Sequence, residues 1–323
     1  MRVCVYGAGA VGGHIAVRLL AARAAEVSVV ARGAQLAAIR ARGLTLRRAG
    51  KDATVTPAAA TDDPASLPPQ DLVVVTLKAH ALPAEAARLA RLLAPEAGAL
   101  FVVNGIPWWW THGLPGRAGP LPLLDPNGAL WTTLGPQRAL GCVVYSANSV
   151  IAPGIIKHDG GNDWRIGEPD GSESARVRET VALFQKAGLS AAVSRDLRPE
   201  IWRKLALNLA FGPLCALNRC TTAGVAGDPA LAATARGLIE DTLAVAAALG
   251  WDIGGKIDAA SVLHGGNWRP SMLQDVELGR PIEVEALLGQ VHAFAREAGV
   301  RTPAIDEVLP KLRALDRALR GTG

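Results

Sequence analysis

The chain has 323 residues and a net charge of +5, and 50% of its residues are hydrophobic, a globular composition. Its length suggests about two domains at roughly 100–200 residues each. The basic residues are scattered, whereas a nucleic-acid-binding protein concentrates them on one face or tail, so the small surplus indicates weak attraction to anionic small molecules.

The first thirty residues predict a strand, a turn, a helix and a second strand. Residues 2–6 form a short β-branched run typical of a buried strand, and residues 27–30 form another. Apolar residues between them predict an amphipathic helix that reaches about Ala24. The turn reads GAGAVG, a GxGxxG motif in the position that a Rossmann-type fold requires.

Each glycine of this motif has a physical role in dinucleotide binding. Gly7 permits the tight turn, Gly9 lets backbone N–H groups approach a pyrophosphate, and Gly12 lets the helix pack closely on the strand. The helix N-terminus adds unpaired N–H donors and a positive dipole end. We therefore expect the six motif residues to bind a dinucleotide, the alternative being a structural glycine-rich turn. They are Gly7, Ala8, Gly9, Ala10, Val11 and Gly12.

The residue that follows the second strand predicts which dinucleotide is bound. NAD sites place an acidic residue here, on the adenosine ribose 2′-hydroxyl. This chain has Arg32 and no acid. Since a guanidinium suits a 2′-phosphate through charge-assisted bonds, we predict NADP(H). The alternative is a solvated surface arginine.

Two later strands end in polar residues. The apolar runs at residues 71–77 and 100–103 are followed by Lys78 and Asn104, with a predicted helix from Pro83 to Leu93 between them. Ligands of doubly wound sheets bind beyond the carboxyl ends of the strands. Each residue alone reads as an ordinary loop residue, but together with the glycine motif they favour cofactor or substrate contact.

The segment 104–140 is rich in proline and glycine and contains Trp108, Trp109 and Trp110. These tryptophans could shield a nicotinamide, pack on a partner or form a local hydrophobic cluster. Asp125 and Pro126 predict the start of a short helix to about Leu134. The elements predicted next are strands at 142–145, 154–157 and 164–166, a helix at 176–187 and a strand at 191–193.

Strand patterns end near residue 196 and helical periodicity follows. The predicted helices cover 199–217, 231–249, 271–278, 281–298 and 303–319. The fold class we expect is α/β, with an N-terminal Rossmann-type doubly wound sheet over residues 1–195 followed by an all-helical C-terminal domain over 196–323.

Lys204 and Asn208 are spaced i and i+4 on the first of these helices, so they share one face. The helix is otherwise largely apolar, and a lysine there is costly unless it is paired or functional. Lys204 is therefore a candidate proton donor to a carbonyl oxygen that receives a hydride. The alternative is a lysine whose stem is buried and whose ammonium reaches water.

Other kinds of site lack sequence support. The four cysteines show no CxxC spacing and no zinc-like cluster, which predicts core thiols in a reducing compartment and no metal site. The N-terminus meets glycines before a secretory signal could form, and no run of about 18 uncharged apolar residues occurs. We expect a cytoplasmic protein with no membrane or nucleic-acid partner.

Five segments together resemble the ketopantoate reductase (2-dehydropantoate 2-reductase) family, in the same order along nearly the whole chain. The last two are specific to that family. The segments are GAGAVG at 7–12, TLKA at 76–79, NG at 104–105, WRKLALN at 202–208 and SMLQDVELGRPIEVE at 271–285.

The resemblance implies an NADPH-dependent reduction of 2-dehydropantoate to pantoate, a step towards coenzyme A. It makes Lys204 the general acid and gives Asn208 and Ser271 the role of substrate hydrogen bonding. Glu283 would orient the cofactor ribose or the substrate hydroxyl, and Asn104 would touch both nicotinamide ribose and substrate. The remaining implied cofactor contacts are Arg32 near the 2′-phosphate, Lys78 on the adenosine side and the backbone of Ala147.

The chain departs from the family pattern at three positions. Gly212 and Thr222 stand where members carry substrate-binding asparagines, and Ala81 replaces a polar residue that helps bind the phosphate in some members. Two alternatives therefore stay open: a reductase of another 2-oxo or 3-hydroxy acid, and a non-catalytic NADP(H)-binding protein. The pattern leaves the oligomeric state open, with a homodimer as one candidate.

Overall fold

The computed structural model describes residues 1–257 and 266–321. The chain forms two compact units. The N-terminal unit comprises Met1–Val103 and Trp108–Leu197, and the C-terminal unit comprises Asn104–Pro107 and Arg198–Gly323. The short segment Asn104–Pro107 thus groups with the helices that follow much later in the chain.

The N-terminal unit is built on one mixed sheet, which has ten strands among the described residues. They are β1 (Arg2–Tyr6), β2 (Glu26–Val30), β3 (Leu44–Arg47), β4 (Ala53–Val55), β5 (Ala59–Thr61), β6 (Gln70–Val75), β7 (Leu93–Phe101), β8 (Ala139–Ala152), β9 (Ile155–Gly167) and β10 (Ser190–Val193). Their order is β4-β3-β9-β8-β7-β6-β1-β2-β5, with β10 beside β9.

The centre of the sheet has the doubly wound order. Strand β1 pairs in parallel with β2 on one side and with β6 on the other, and β6 continues in parallel to β7. The central residues Val3, Cys4 and Val5 are fully buried, as expected for strands covered on both faces. The predicted fold class is confirmed, and the strand order reverses between β1 and β6, where such sheets bind ligands.

Four α-helices belong to this unit: α1 (Ala10–Ala21), α2 (Gly33–Arg42), α3 (Leu82–Leu92) and α4 (Ala175–Lys186). Helix α1 ends three residues before the predicted Ala24, because Arg23 takes a positive φ of 48° that stops the helix. Helix α2 and strands β3 to β5 were not predicted. Their apolar patterns are short, and α2 buries only Leu36, Ala38 and Ile39.

The predicted helix from Asp125 to Leu134 was wrong in form. The chain makes a 3-10 turn at Pro126–Gly128 and then one π-helical turn at Leu130–Leu134, because Asn127 leaves the helical region with a φ of 63°. The buried Asp125 carboxylate accepts the backbone N–H groups of Leu130 and Trp131 at 2.9 and 2.8 Å. It therefore caps the π-helical turn rather than a single longer helix.

The three consecutive tryptophans are buried inside the N-terminal unit, each no more than 2% exposed. The rings of Trp108 and Phe101 meet edge to face with centroids 5.5 Å apart. A side chain at Gly141 would overlap Trp109 and Leu197. Of the three interpretations of these tryptophans, the structure thus favours the local hydrophobic cluster.

The described residues of the C-terminal unit form helices and loops and no strand. Its elements are α5 (Leu197–Asn218), α6 (Thr222–Gly227), α7 (Pro229–Ala248), a 3-10 turn (Gly254–Lys256), α8 (Ser271–Glu277), a π-helical turn (Glu285–Gly289), α9 (Gln290–Ala298) and α10 (Pro303–Gly321). Trp202 of α5 packs against Phe294 of α9 in its core. Among the helices of residues 1–257 and 266–321, none combines the length and apolarity needed to span a bilayer.

Candidate functional site

The turn between β1 and α1 requires glycine at two positions. Gly7 has a φ of +106°, which L side chains rarely adopt, and its carbonyl accepts the Thr76 hydroxyl at 2.5 Å. A Cβ atom at Gly12 would overlap both the Gly7 carbonyl oxygen and Thr76 Oγ1. Helix α1 can therefore approach the end of β1 only with glycine at position 12.

Gly9 differs from these two glycines because it faces open space. A Cβ atom there would meet no heavy atom within 4 Å. Gly9 is the N-cap of α1, no side chain caps this helix, and its first turn carries no acidic residue. The N–H groups of the first turn have no intrahelical partner. The cradle formed by residues 7–12 thus fits an anionic pyrophosphate in backbone access and in charge.

Arg32 lies just beyond β2, at the N-cap of α2, with a side chain 65% exposed. Its Nη2 donates to Glu85 Oε1 at 2.5 Å. Glu85 lies in the first turn of α3, and its side chain is only 7% exposed. The predicted phosphate-binding arginine is therefore anchored on a buried carboxylate.

Tyr6, the last residue of β1, completes this arrangement. Its hydroxyl donates to Glu85 Oε2 at 2.5 Å, and Arg88 contacts the same oxygen at 3.4 Å. Burial raises the pKa of the Glu85 carboxyl, but the hydrogen bonds from Tyr6 and Arg32 and the charges of Arg32 and Arg88 outweigh it and hold the pKa below its usual value. Glu85 is therefore ionised at neutral pH.

Lys78 and Ala147, two further predicted cofactor contacts, lie after β6 and within β8. Lys78 follows β6 and is the N-cap of a 3-10 turn at Ala79–Ala81, so the departure at Ala81 falls within the same turn. Ala147 is exposed on β8, where the pairing with β9 shifts register around Ala147 and Gly160. Such irregular pairing leaves backbone groups open to a ligand.

A polar cluster places residues 146–148 beside the start of α1. His14 of α1 is 1% exposed, and its Nδ1 lies 3.5 Å from Ser146 Oγ. Ser146 also accepts from Asn148 Nδ2 at 2.9 Å, and Asn148 Oδ1 lies 3.1 Å from His158 Nδ1. Burial, then the charges of His158 and Arg18, lowers the pKa of His14 to about 3.

The His14 pKa predicts an acid-dependent loss of stability. The folded pKa of about 3 lies below the ordinary 6.5, so only the unfolded chain takes up this proton as the pH falls below 6.5. The free energy of unfolding should then decrease by about 1.4 kcal/mol per pH unit from this residue. We expect the unfolding free energy of His14→Leu, measured by urea denaturation at a series of pH values below 6.5, to fall less steeply with decreasing pH than that of the wild type.

The range above pH 6.5 provides the internal control, because His14 is neutral there in both the folded and the unfolded chain. In that range, His14→Leu and the wild type should show the same dependence of the unfolding free energy on pH. Equal slopes for His14→Leu and the wild type below pH 6.5 would contradict the assignment of this proton to His14.

In the C-terminal unit, α5 carries Lys204 and Asn208 one turn apart, both half-buried. Gly212 follows one further turn along, where a Cβ atom would lie 4.0 Å from Met272 Cβ. Met272 is the second residue of α8, so the exposed Ser271 begins α8 next to the end of this row. The structure thus brings Ser271 towards the face of α5 that bears Lys204 and Asn208.

Backbone contacts hold the segment that contains Asn104 against the helical turn that follows Glu283. Glu283 is 7% exposed, and its carbonyl accepts the N–H of Leu287 at 3.3 Å, so the helical segment begins after Glu283 and not at the predicted residue 281. The Ala286 carbonyl of that turn accepts the N–H of Ile106 at 2.8 Å. A side chain at Gly105 would overlap Ala286. Asn104 is thus held beside the helical turn that follows Glu283.

Thr222, at a position where family members carry a substrate-binding asparagine, has a structural task in this chain. It is fully buried, and its hydroxyl donates to Gly266 O at 3.0 Å and accepts the Trp268 N–H at 3.0 Å. Its own N–H donates to Trp268 O. The side chain therefore tethers the segment before α8 and is not available to a substrate.

Sequence reasoning missed Tyr6 and Glu85 as parts of the site. No motif marks them, since the three partners of this cluster are 26 to 79 positions apart and meet only when β1, β2 and α3 assemble. A signal did exist, because a glutamate on the buried face of α3 needs a partner. Within the part of the chain that is described, no group of three His, Cys, Asp or Glu side chains is arranged to hold a metal.

Comparisons with known proteins agree on one family. Residues 3–171 match the family described as "Ketopantoate reductase PanE/ApbA", and residues 196–316 match its C-terminal part. A 2-dehydropantoate 2-reductase from Mesorhizobium japonicum is 40% identical over 319 residues, covering 98% of each chain.

Solved structures agree with the sequence relatives. A Ralstonia solanacearum protein is 36% identical with a TM-score of 0.90, covering 98% of each chain. The 2-dehydropantoate 2-reductase from Geobacter metallireducens is 26% identical with a TM-score of 0.84, covering 97% of this chain and 99% of its own.

Proposed function

Because this chain belongs to the ketopantoate reductase family, we propose that it catalyses the NADPH-dependent reduction of 2-dehydropantoate to pantoate. The observation that carries the proposal is the full-length match to curated reductases together with Lys204 and Asn208 on one face of α5. The cradle on the N-terminal unit accounts for the cofactor half of the reaction.

The cofactor is held by backbone and by cations. The first-turn N–H groups at residues 10–12 bind the pyrophosphate, and Gly9 leaves room for its close approach. Arg32 takes the 2′-phosphate, and Lys78 adds positive charge on the adenosine side. Ala147 contributes backbone groups. When bound, NADPH supplies the hydride that adds to the carbonyl carbon of the substrate.

Lys204 supplies the proton that this reduction requires. Hydride addition leaves negative charge on the carbonyl oxygen, and an ammonium can both stabilise that charge and protonate it. Lys204 lies on a helix whose neighbouring residues Trp202, Leu205 and Ala206 are buried, so the ammonium acts at the edge of an apolar surface. Such surroundings strengthen its attraction to a developing oxyanion.

Four polar side chains orient the substrate. Asn208 lies one turn from Lys204, and Ser271 begins α8 near the same face, so both can hydrogen-bond a small 2-oxo acid. Glu283 is buried and serves to orient the substrate hydroxyl or the cofactor ribose near Lys204. Asn104, fixed through Ile106 and Ala286, contacts nicotinamide ribose and substrate.

A substrate panel tests this proposal. The decrease in NADPH absorbance is followed with 2-dehydropantoate, with unbranched and aromatic 2-oxo acids, and with no acceptor. We expect 2-dehydropantoate to have the highest kcat/KM, and NADPH to be preferred over NADH. No turnover of any 2-oxo acid by a protein that binds NADPH would refute the reductase and leave a non-catalytic cofactor-binding protein.

One observation favours a second candidate, a reductase of a different 2-oxo acid. Gly212 provides no side-chain amide at the third position of the Lys204–Asn208 face, and Thr222 is committed to the backbone at 266–268. Loss of one neutral hydrogen bond costs about 0.5–1.5 kcal/mol, which weakens affinity by about two- to twelvefold. The same panel distinguishes the two candidates, since another acid must clearly exceed 2-dehydropantoate in kcat/KM.

A further inference from the structure

The cluster of Arg32, Glu85 and Tyr6 joins three elements where the sheet meets the cofactor cradle. Tyr6 is the last residue of β1 and is paired in register with Val30 of β2. Gly7, the first cradle residue, donates its N–H to the same Val30 at 3.0 Å. The cluster is therefore directly connected to the backbone that forms the cradle.

The Glu85 carboxylate is shielded from solvent and binds Arg32 instead of water. Its carboxylate is buried and receives one hydrogen bond from Arg32 on Oε1 and one from Tyr6 on Oε2. A buried carboxylate held from both oxygens has a fixed orientation. The guanidinium bound to it is consequently fixed at one end, although the rest of the Arg32 side chain is exposed.

The geometry leaves Arg32 able to bind a second anion. A guanidinium has five N–H donors, and a single Nη2 contact to Glu85 uses one of them. A free arginine loses rotamer entropy of about 2 kcal/mol when it becomes fixed, and an anchored one has already lost part of it. The charge also stays favourable, because Arg32 and Arg88 together exceed the single charge of Glu85.

We propose that Glu85, locked by Tyr6, is a positioning residue that holds Arg32 for the 2′-phosphate and so sets the preference for NADP(H) over NAD(H). The acidic residue of this region thus has the opposite effect to the acid that ends β2 in NAD sites, which binds the ribose hydroxyl itself. Glu85 acts through Arg32 and does not contact the cofactor. The inference rests on the proposed binding of NADP(H).

The test uses two fragments of the cofactor that need no turnover. Calorimetric titration gives the Kd of 2′,5′-ADP, which carries the 2′-phosphate, and of 5′-AMP, which lacks it. The Kd of 5′-AMP divided by the Kd of 2′,5′-ADP is the ratio that measures recognition of the 2′-phosphate alone. We expect Glu85→Gln to reduce this ratio by about five- to tenfold, because the amide oxygen can accept from Arg32 or Tyr6 but its nitrogen cannot.

Three further single variants and one double variant separate positioning from general damage. Arg32→Ala should reduce the ratio more strongly, and adding Glu85→Gln to it should change nothing further, since Glu85 acts only through Arg32. Tyr6→Phe keeps the ion pair and should give a smaller decrease. Glu179→Gln, an exposed glutamate of α4, is the matched control and should leave the ratio unchanged.

Each other outcome overturns the inference. An unchanged or larger ratio in Glu85→Gln would mean that the carboxylate does not position Arg32 or that it repels the phosphate. An equal loss of affinity for both fragments would indicate a structural role only. A wild type that binds neither fragment would refute the proposed cofactor itself. A wild type that prefers 2′,5′-ADP, with Glu85→Gln preferring it to the same extent, would refute this inference alone.

Discussion

Lys204→Ala is expected to lower kcat for 2-dehydropantoate by about 10²- to 10⁴-fold, the range that a general acid contributes. The variant removes the ammonium from the Asn208-bearing face of α5 and leaves the cofactor cradle of the other unit untouched. The Kd of NADPH should therefore stay within about twofold of the wild type. Stopped-flow and steady-state NADPH absorbance give kcat, and fluorescence titration gives the Kd.

Lys311→Ala is the matched control, because Lys311 is an exposed lysine of α10 whose partner is Glu307 at 2.7 Å. Its kcat should equal that of the wild type. If Lys204→Ala keeps more than about a tenth of the wild-type kcat, the proton comes from another donor and the proposed role of Lys204 is wrong.

A pair of glycine variants should separate binding from folding at the cradle. Gly9→Ala places a methyl group in open space, so the cofactor-free protein should melt within about 2 °C of the wild type. That space is where the pyrophosphate approaches the backbone, so we expect the Kd of NADPH to rise by about 10- to 100-fold. Differential scanning calorimetry and titration with NADPH give the two quantities.

Gly12→Ala should fail in a different way. Its methyl group overlaps the Gly7 carbonyl and Thr76, so α1 must move from β1, at an overpacking cost of about 1–3 kcal/mol, and the melting temperature should fall even without cofactor. Gly227→Ala, at a position with open space in the other unit, is the control for both variants. Wild-type affinity in Gly9→Ala would mean that the pyrophosphate does not bind at this turn.

The sequence predicted the parts of the fold that rest on long or regular patterns. Strands β1, β2 and β6 were predicted because each contains a short valine-rich run, and α7 and α10 because their apolar periodicity extends over about five turns. The glycine motif predicted a turn whose φ of +106° and tight packing are now visible. In each of these places, local preference and tertiary structure agree.

The rest depends on contacts that sequence spacing does not encode. The three-residue strands β4 and β5 have too few residues for a periodicity and exist because the open edges of β3 and β2 offer unpaired backbone groups. The interaction of Arg32 with Glu85 likewise follows from the packing of α3, so the sequence predicted a phosphate-binding arginine but not the carboxylate that anchors it.

The segment Asn104–Pro107 has a consequence for how the chain could be divided. It lies between two stretches of the N-terminal unit in the sequence, yet it belongs to the helical unit, where the Ile106 N–H donates to the Ala286 carbonyl. A gene fragment that begins at residue 198 would encode the helices without residues 104–107, and the Ala286 carbonyl would lose the N–H donor that Ile106 provides. Modular exchange between relatives, natural or engineered, therefore has to transfer two separate stretches of sequence together, and a single crossover cannot do so.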